Sequence, residues 1–90
     1  MEQVRKLKIK NNLGLHARAA AKIVALGNQF DSQLFLNKET KEADGSNILS
    51  IIALECPKGT EVEARILGED AKDFMKELRE LFDRRFGEDR

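Results

Sequence analysis

The stretch Thr60-Glu61-Val62-Glu63-Ala64-Arg65-Ile66-Leu67 alternates charged and apolar side chains without a break from Glu61 to Ile66. Successive side chains of an extended chain point to opposite sides, so Val62, Ala64 and Ile66 predict a face turned to a core. Glu61, Glu63 and Arg65 predict the face turned to water. A half-buried strand of this kind suits an antiparallel sheet, which can leave one face solvated, better than an all-parallel one. The flanking segments must then supply the cover. Downstream, Gly68 breaks the strand, and Glu69 and Asp70 place negative charge at the start of a helix. Its stripe of Ala71, Phe74, Leu78, Leu81 and Phe82 recurs at helical spacing, and Gly87 closes it.

Upstream, Pro57 and Gly59 end a short helix that carries Ile48, Ile51 and Ile52 inward, with Asn47 or Ser46 able to cap its start. Before it, Leu34 and Leu36 alternate with Gln33, Phe35 and Asn37 in a strand. The polar cluster Asn37 to Thr40 then turns into a short strand around Lys41 to Ala43. The Ala-rich run Ala17 to Leu26 places Ala20, Ile23, Val24 and Gly27 on one buried helical face, with Gly27 and Asn28 as its stop. Val4, Leu7 and Ile9, interleaved with basic residues, make an opening strand that Asn11, Asn12 and Gly14 end. The order strand, helix, strand, strand, helix, strand, helix (βαββαβα) has no repeat or linker. It predicts one α+β domain over residues 1–90, an antiparallel sheet covered by helices on one face.

Composition narrows the function. With 41% hydrophobic and 36% charged residues, the 90-residue chain has enough apolar content for one modest core, which argues against wholesale disorder. Sixteen Lys and Arg balance sixteen Asp and Glu. That balance lacks the cationic surplus on which counterion release by a nucleic-acid binder depends. The one local excess, Arg5, Lys6, Lys8 and Lys10, reads as a solvated strand face in preference to a phosphate-binding stripe. A lone Cys56 can form no internal disulfide and, with one His, no multi-residue metal site, so neither a metal nor any other cofactor is expected. The longest apolar stretch, Ile48 to Leu54, is interrupted by Ser50 and is too short for membrane insertion. With no charged-then-apolar leader at the start, the cytoplasm is the expected compartment.

His16 is the residue best able to change charge near neutral pH, and it stands at a loop-to-helix junction just before Ala17, Arg18 and Ala19. The first N–H groups of a helix have no intrahelical partner, and the helix dipole favours an anion there. A phosphoryl group on the imidazole would meet those N–H groups, Ala17's among them, and the guanidinium of Arg18. The same positive helix end disfavours the imidazolium and leaves more of the ring as the neutral nucleophile. An ordinary capping or surface role for a single His remains the other reading of the residues alone.

Gly14-Leu15-His16-Ala17-Arg18 followed by an Ala-rich helix resembles the phosphorylation-site motif of the HPr family, the histidine phosphocarriers of the bacterial phosphotransferase system. Ile48 to Leu54, Lys58-Gly59 and the Thr60 to Ile66 strand are similar to that family's second helix and last strand, so the resemblance runs from about Val4 to Phe86. Leu13, Phe30-Asp31 and the ending Phe86-Gly87-Glu88-Asp89 are especially similar to the nitrogen-branch members, the NPr proteins. The resemblance implies an open-faced β-sandwich of four antiparallel strands and three helices. It also implies a carrier, not a stand-alone catalyst, that takes a phosphoryl group derived from phosphoenolpyruvate from enzyme I on Nδ1 of His16. The carrier passes that group to an enzyme IIA domain, and regulatory proteins are further partners.

Arg18 matches the family arginine that neutralises the phosphoryl group. Ile48 and Leu49 would give the docking surface its apolar centre, with Arg18, Lys22 and Asn47 as a polar rim; ordinary core packing is the competing reading of the two apolar residues. Two positions depart from the family pattern. Ala19 stands where the motif usually has Pro, which exchanges a rigid first-turn residue for the best helix former. Asn47 occupies the place of the serine that some HPr proteins offer to a kinase, with Ser46 one residue earlier, so kinase regulation of that type is not expected. A different class of function is a regulatory, nucleic-acid or protein-binding α+β module in which His16 is not phosphorylated. The absence of Tyr and Trp weighs against a base-stacking platform. A hydrolase centred on His16 finds no Ser or Cys in a nucleophile motif.

Overall fold

The computed structural model describes residues 1–89. Its elements run β1 (Glu2–Lys8), α1 (Ala17–Gly27), β2 (Gln33–Lys38), β3 (Lys41–Asp44), α2 (Ile48–Ile52), β4 (Glu61–Leu67) and α3 (Ala71–Asp83), followed by a 3-10 turn at Arg85–Gly87. The four strands form one antiparallel sheet in the order β1-β4-β2-β3, so the alternating strand read first from the sequence lies inside the sheet. Val62, Ala64 and Ile66 are completely buried under the helices, and Leu34, Leu36 and Ala43 complete that face on β2 and β3.

The register explains why the basic first strand is no cationic stripe. On the open face Lys6 pairs with Glu63 and Lys8 with Glu61. Arg65 lies over the Phe35 ring at 4.9 Å and faces Glu42 at 3.3 Å and Glu2 at 3.7 Å. The wet side of the sheet is thus a mosaic of both signs.

In β1, Leu7 faces the core and Val4 is exposed on the opposite face, because residues an odd number of positions apart in a strand point apart. One helix expectation shifts. In α1 the fully buried residues are Ala19, Ala20 and Ile23, while Val24 and Gly27 are half-buried. A Cβ on Gly27 would lie 3.3 Å from the Phe74 ring, which itself stacks on Phe30 at 4.8 Å, so this glycine serves helix packing.

The apolar stripe of α3 is buried as expected, with Met75 added, and Asp70 stands at the helix start, where its carboxylate does not cap the helix. It turns away to accept the N–H groups of Asp31 at 2.9 Å and Ser32 at 3.0 Å, together with the Ser32 hydroxyl. Gly68, at φ +148°, lets the chain pass so close to Ser32 that a Cβ would come within 2.7 Å of its Cα. Gly87 does not end the helix either. The helix stops at Asp83, and Arg85 and Phe86 then take left-handed φ values of +55° and +56°, which seat the Phe86 ring, fully buried, 4.9 Å from Phe82.

The hydrogen bond from the Ser32 hydroxyl, with those from the Asp31 and Ser32 backbone, holds the Asp70 carboxyl below the usual aspartate range against a smaller opposing effect of burial. A carboxyl whose pKa falls on folding contributes stability above its unfolded pKa and loses it as pH falls through the folded value. Asp70→Asn should therefore melt below the wild type at neutral pH, and the two melting curves should converge in acid below the ordinary aspartate range. Thermal melts across that range measure the convergence.

Candidate functional site

The residues before α1 are tied to the residues after α2. Leu15 N–H donates to the Cys56 carbonyl at 2.9 Å, Ile9 N–H to the Thr60 carbonyl at 2.9 Å and Gly59 N–H to the Ile9 carbonyl at 2.7 Å. Gly14 passes through this seam at φ +71°, where a Cβ would come within 2.9 Å of Pro57 Cα, so neither the conformation nor the space admits a side chain. The Asn11 amide, fully buried, donates to the Gly14 carbonyl at 2.8 Å and closes the loop on itself. The chain leaves the loop with His16 in an extended conformation, as the N-cap of α1.

His16 caps through its own ring. The Arg18 N–H donates to Nδ1 at 3.2 Å, which satisfies one orphan donor of the helix start and identifies Nδ1 as the ring atom with the lone pair. The ring proton then sits on Nε2, which donates to the Glu88 carboxylate at 2.5 Å. Glu88 accepts a second bond from the Asn11 amide at 3.0 Å. The His16 side chain is only 24% exposed, so the ring is half sheltered.

Glu88 belongs to the site, and the sequence reading omitted it. The only signal was the ending Phe86-Gly87-Glu88-Asp89, which pointed to a relative and carried no role.

The other expected residues separate. Arg18 is exposed at the head of α1 and lines an open cleft with Lys22, Glu88 and Asp89. The N–H directed at the ring is that of Arg18, one residue after the Ala17 group singled out from sequence. Lys22 is half-buried, and its ammonium donates to the Phe86 carbonyl, so it clasps the C-terminal turn instead of standing free at a rim.

Asn47 is the N-cap of α2, its side-chain oxygen accepting from the Ser50 N–H at 3.1 Å. Ser46 beside it donates its hydroxyl to Asp44 at 2.7 Å, and that bond is the main cause that lowers the Asp44 pKa. Leu49 is 77% exposed and Ile48 37%, while Ile51 is fully buried; Ile48 therefore does not pack inward with Ile51, and Ile52 is only half-buried. A five-residue helix turns a single residue fully into the core. Leu13, exposed at 65%, is a further apolar side chain in a surface depression shared with His16 and Pro57, and it was not expected there.

The family model described as the PTS HPr component phosphorylation site matches residues 3–84. The chain belongs to the HPr family of phosphotransferase-system phosphocarriers. Among its relatives, the phosphocarrier protein HPr of Xylella fastidiosa (strain Temecula1) is 41% identical over 83 residues, 92% of this chain and 93% of that protein. The phosphocarrier protein NPr of Proteus mirabilis is 36% identical over 90 residues, 99% of this chain and all of that one. The crystal structure of HPr-C-His from Thermoanaerobacter tengcongensis superposes with a TM-score of 0.92 at 33% identity, covering 98% of this chain and 99% of that one. The four-stranded antiparallel sheet with three helices is thus the HPr open-faced sandwich.

The exposure of α2 generates a test. Leu49→Glu should leave the melting temperature within a few degrees of wild type, because an exposed side chain contributes little to the core. Ile51→Glu, which buries an unpaired charge, should unfold the domain. Equal destabilisation in thermal melts would mean that the helix presents its other side to solvent.

Proposed function

We propose that this chain carries a phosphoryl group on Nδ1 of His16, received from enzyme I and delivered to an enzyme IIA domain in the cytoplasm. The observation that carries the reading is the state of the ring. Nδ1 holds its lone pair toward the helix start, and among the described residues the polar group on it is the N–H of Arg18 at 3.2 Å. As the phosphorus bonds to Nδ1, that N–H is released and becomes a donor for a phosphoryl oxygen, with the Ala17 N–H as its neighbour at the helix start. Arg18's guanidinium, exposed on the same turn, supplies a charge-assisted pair of donors to the dianion. Little covalent work is asked of the protein, so positioning and charge neutralisation make up its share of the transfer.

Leu49, Ile48 and Leu13 are exposed apolar side chains available for docking, and Arg18 and Asn47 stand at the starts of α1 and α2 as polar contacts. A carrier must leave each partner as readily as it binds, and so few apolar contacts suit brief encounters. The reading as a nucleic-acid module draws no support from the open sheet face, where the strand register sets Lys6 and Lys8 each opposite a glutamate. No helix among the described residues is long and apolar enough to cross a membrane.

His16→Ala should stay folded, with stability lowered by about 0.5 to 2 kcal/mol for the lost cap. It should take up no label from phosphoenolpyruvate and enzyme I; stoichiometric, acid-labile label on the folded variant would sink the assignment. Arg18→Ala should still be labelled on the same ring atom, but with transfer slowed about ten- to a hundredfold, the worth of a charge-assisted hydrogen bond of roughly 1.5–3 kcal/mol. Rapid-quench kinetics in both directions measure the loss.

A further inference from the structure

Glu88 is held at His16 by more than its own hydrogen bonds. One carboxylate oxygen lies 2.5 Å from Nε2, the other 3.0 Å from the Asn11 amide, and the side chain is 11% exposed. The backbone that delivers it is strained. Arg85 and Phe86, neither of them glycine, both sit in the left-handed region, a conformation that persists only where the surroundings over-determine it. Two contacts do so: the buried Phe86 ring against Phe82, and the Lys22 ammonium on the Phe86 carbonyl. Burial of the Glu88 carboxyl works to raise its pKa, but the hydrogen bonds from Asn11 and His16 and the nearby positive charge of Arg18 outweigh it and hold the group below the usual carboxylate range. It is an anion at neutral pH.

Resting on the phosphocarrier reading, we propose that Glu88 is a positioning residue for transfer, whose carboxylate retains the proton on Nε2 so that the phosphorylated ring stays an imidazolium. When the phosphoryl group arrives, the Nδ1 lone pair forms the N–P bond. The bond from phosphorus to the donor breaks, and its electron pair leaves with the donor. No proton moves, and the ring, still protonated on Nε2, becomes cationic. In the onward step the acceptor's nucleophile bonds to phosphorus, the N–P electron pair returns to Nδ1, and a neutral imidazole departs. A phosphorylated ring that had lost its Nε2 proton would have to depart as imidazolate, a far poorer leaving group.

Glu88 opposes that loss by direct attraction. The other charged side chains of the adjoining clefts are Arg18, Lys22 and Asp89, which line one together with Glu88, and Glu55, which lines the other together with His16. Among these charged groups Glu88 is the one bonded to the ring.

The test uses the full chain, phosphorylated from phosphoenolpyruvate through enzyme I, and follows the ring proton of the phosphohistidine by nitrogen NMR against pH alongside the rate of phosphoryl release. Glu88→Gln keeps a hydrogen-bond acceptor but removes the charge. Its midpoint should fall by about one pH unit, and above the wild-type midpoint release should slow about tenfold. Glu88→Asp, which keeps the charge on a shorter arm, should recover part of both and separates the electrostatic effect from any change in folding. Normal labelling with a midpoint unchanged in Glu88→Gln overturns the role of Glu88 alone. Failure of the wild type to be labelled on His16 overturns the phosphocarrier reading and this inference with it.

Discussion

The seam between the loop that precedes α1 and the loop that follows α2 is the constraint on which the site depends. Leu15 N–H on the Cys56 carbonyl, with Gly14 pressed against Pro57, fixes where the chain enters α1. His16 becomes the cap by that entry angle and not by a capping preference of its own, since imidazole is not among the favoured caps. The same seam brings the loop after α2 beside the histidine, so the apolar side chains of Leu13 and Pro57 share a depression with the ring. A side chain at position 14 would push these two loops apart. Ring orientation and docking surface would be lost together, although neither involves Gly14 chemically.

How much of this was legible follows the range of the interactions. The alternation in Glu61 to Ile66 and the stripe of α3 are local patterns strong enough to survive folding, and they sufficed for the sheet and its cover. Asp70 illustrates a limit. An acidic residue at a helix start reads as a cap or a dipole partner, but the offer from two backbone N–H groups and a hydroxyl near Ser32, some forty residues away, is the stronger one. Local sequence has no record of that competition.

The Arg85–Phe86 turn lay furthest beyond reading. Local preference opposes a left-handed conformation at both residues, and only the burial of the Phe86 ring and the Lys22 clasp reverse the balance. Glu88 inherits its position from that turn, and its contact with His16 spans 72 residues of sequence. Motif reasoning joined His16 and Arg18 because they are two residues apart at one helix start. It passed over the Glu88 carboxylate because nothing short-range connects it to them.

Two polar groups meet the ring of His16 from opposite sides, and their demands are compatible across the whole cycle. In the free protein Nδ1 caps the helix through Arg18 N–H while Nε2 is satisfied by Glu88. In the proposed phosphorylated state Nδ1 is lost as an acceptor, but phosphoryl oxygens, better acceptors, come to the same N–H groups. The helix start is therefore never left with an extra unsatisfied donor, and α1 need not fray when the group arrives or departs. The Glu88 side asks for no rearrangement either, because a proton already on Nε2 serves both the neutral and the cationic ring. Under the proposed phosphocarrier role, a carrier that need not change shape would present one surface to its donor and its acceptor, and the direction of transfer would be set by the phosphoryl potentials of the partners.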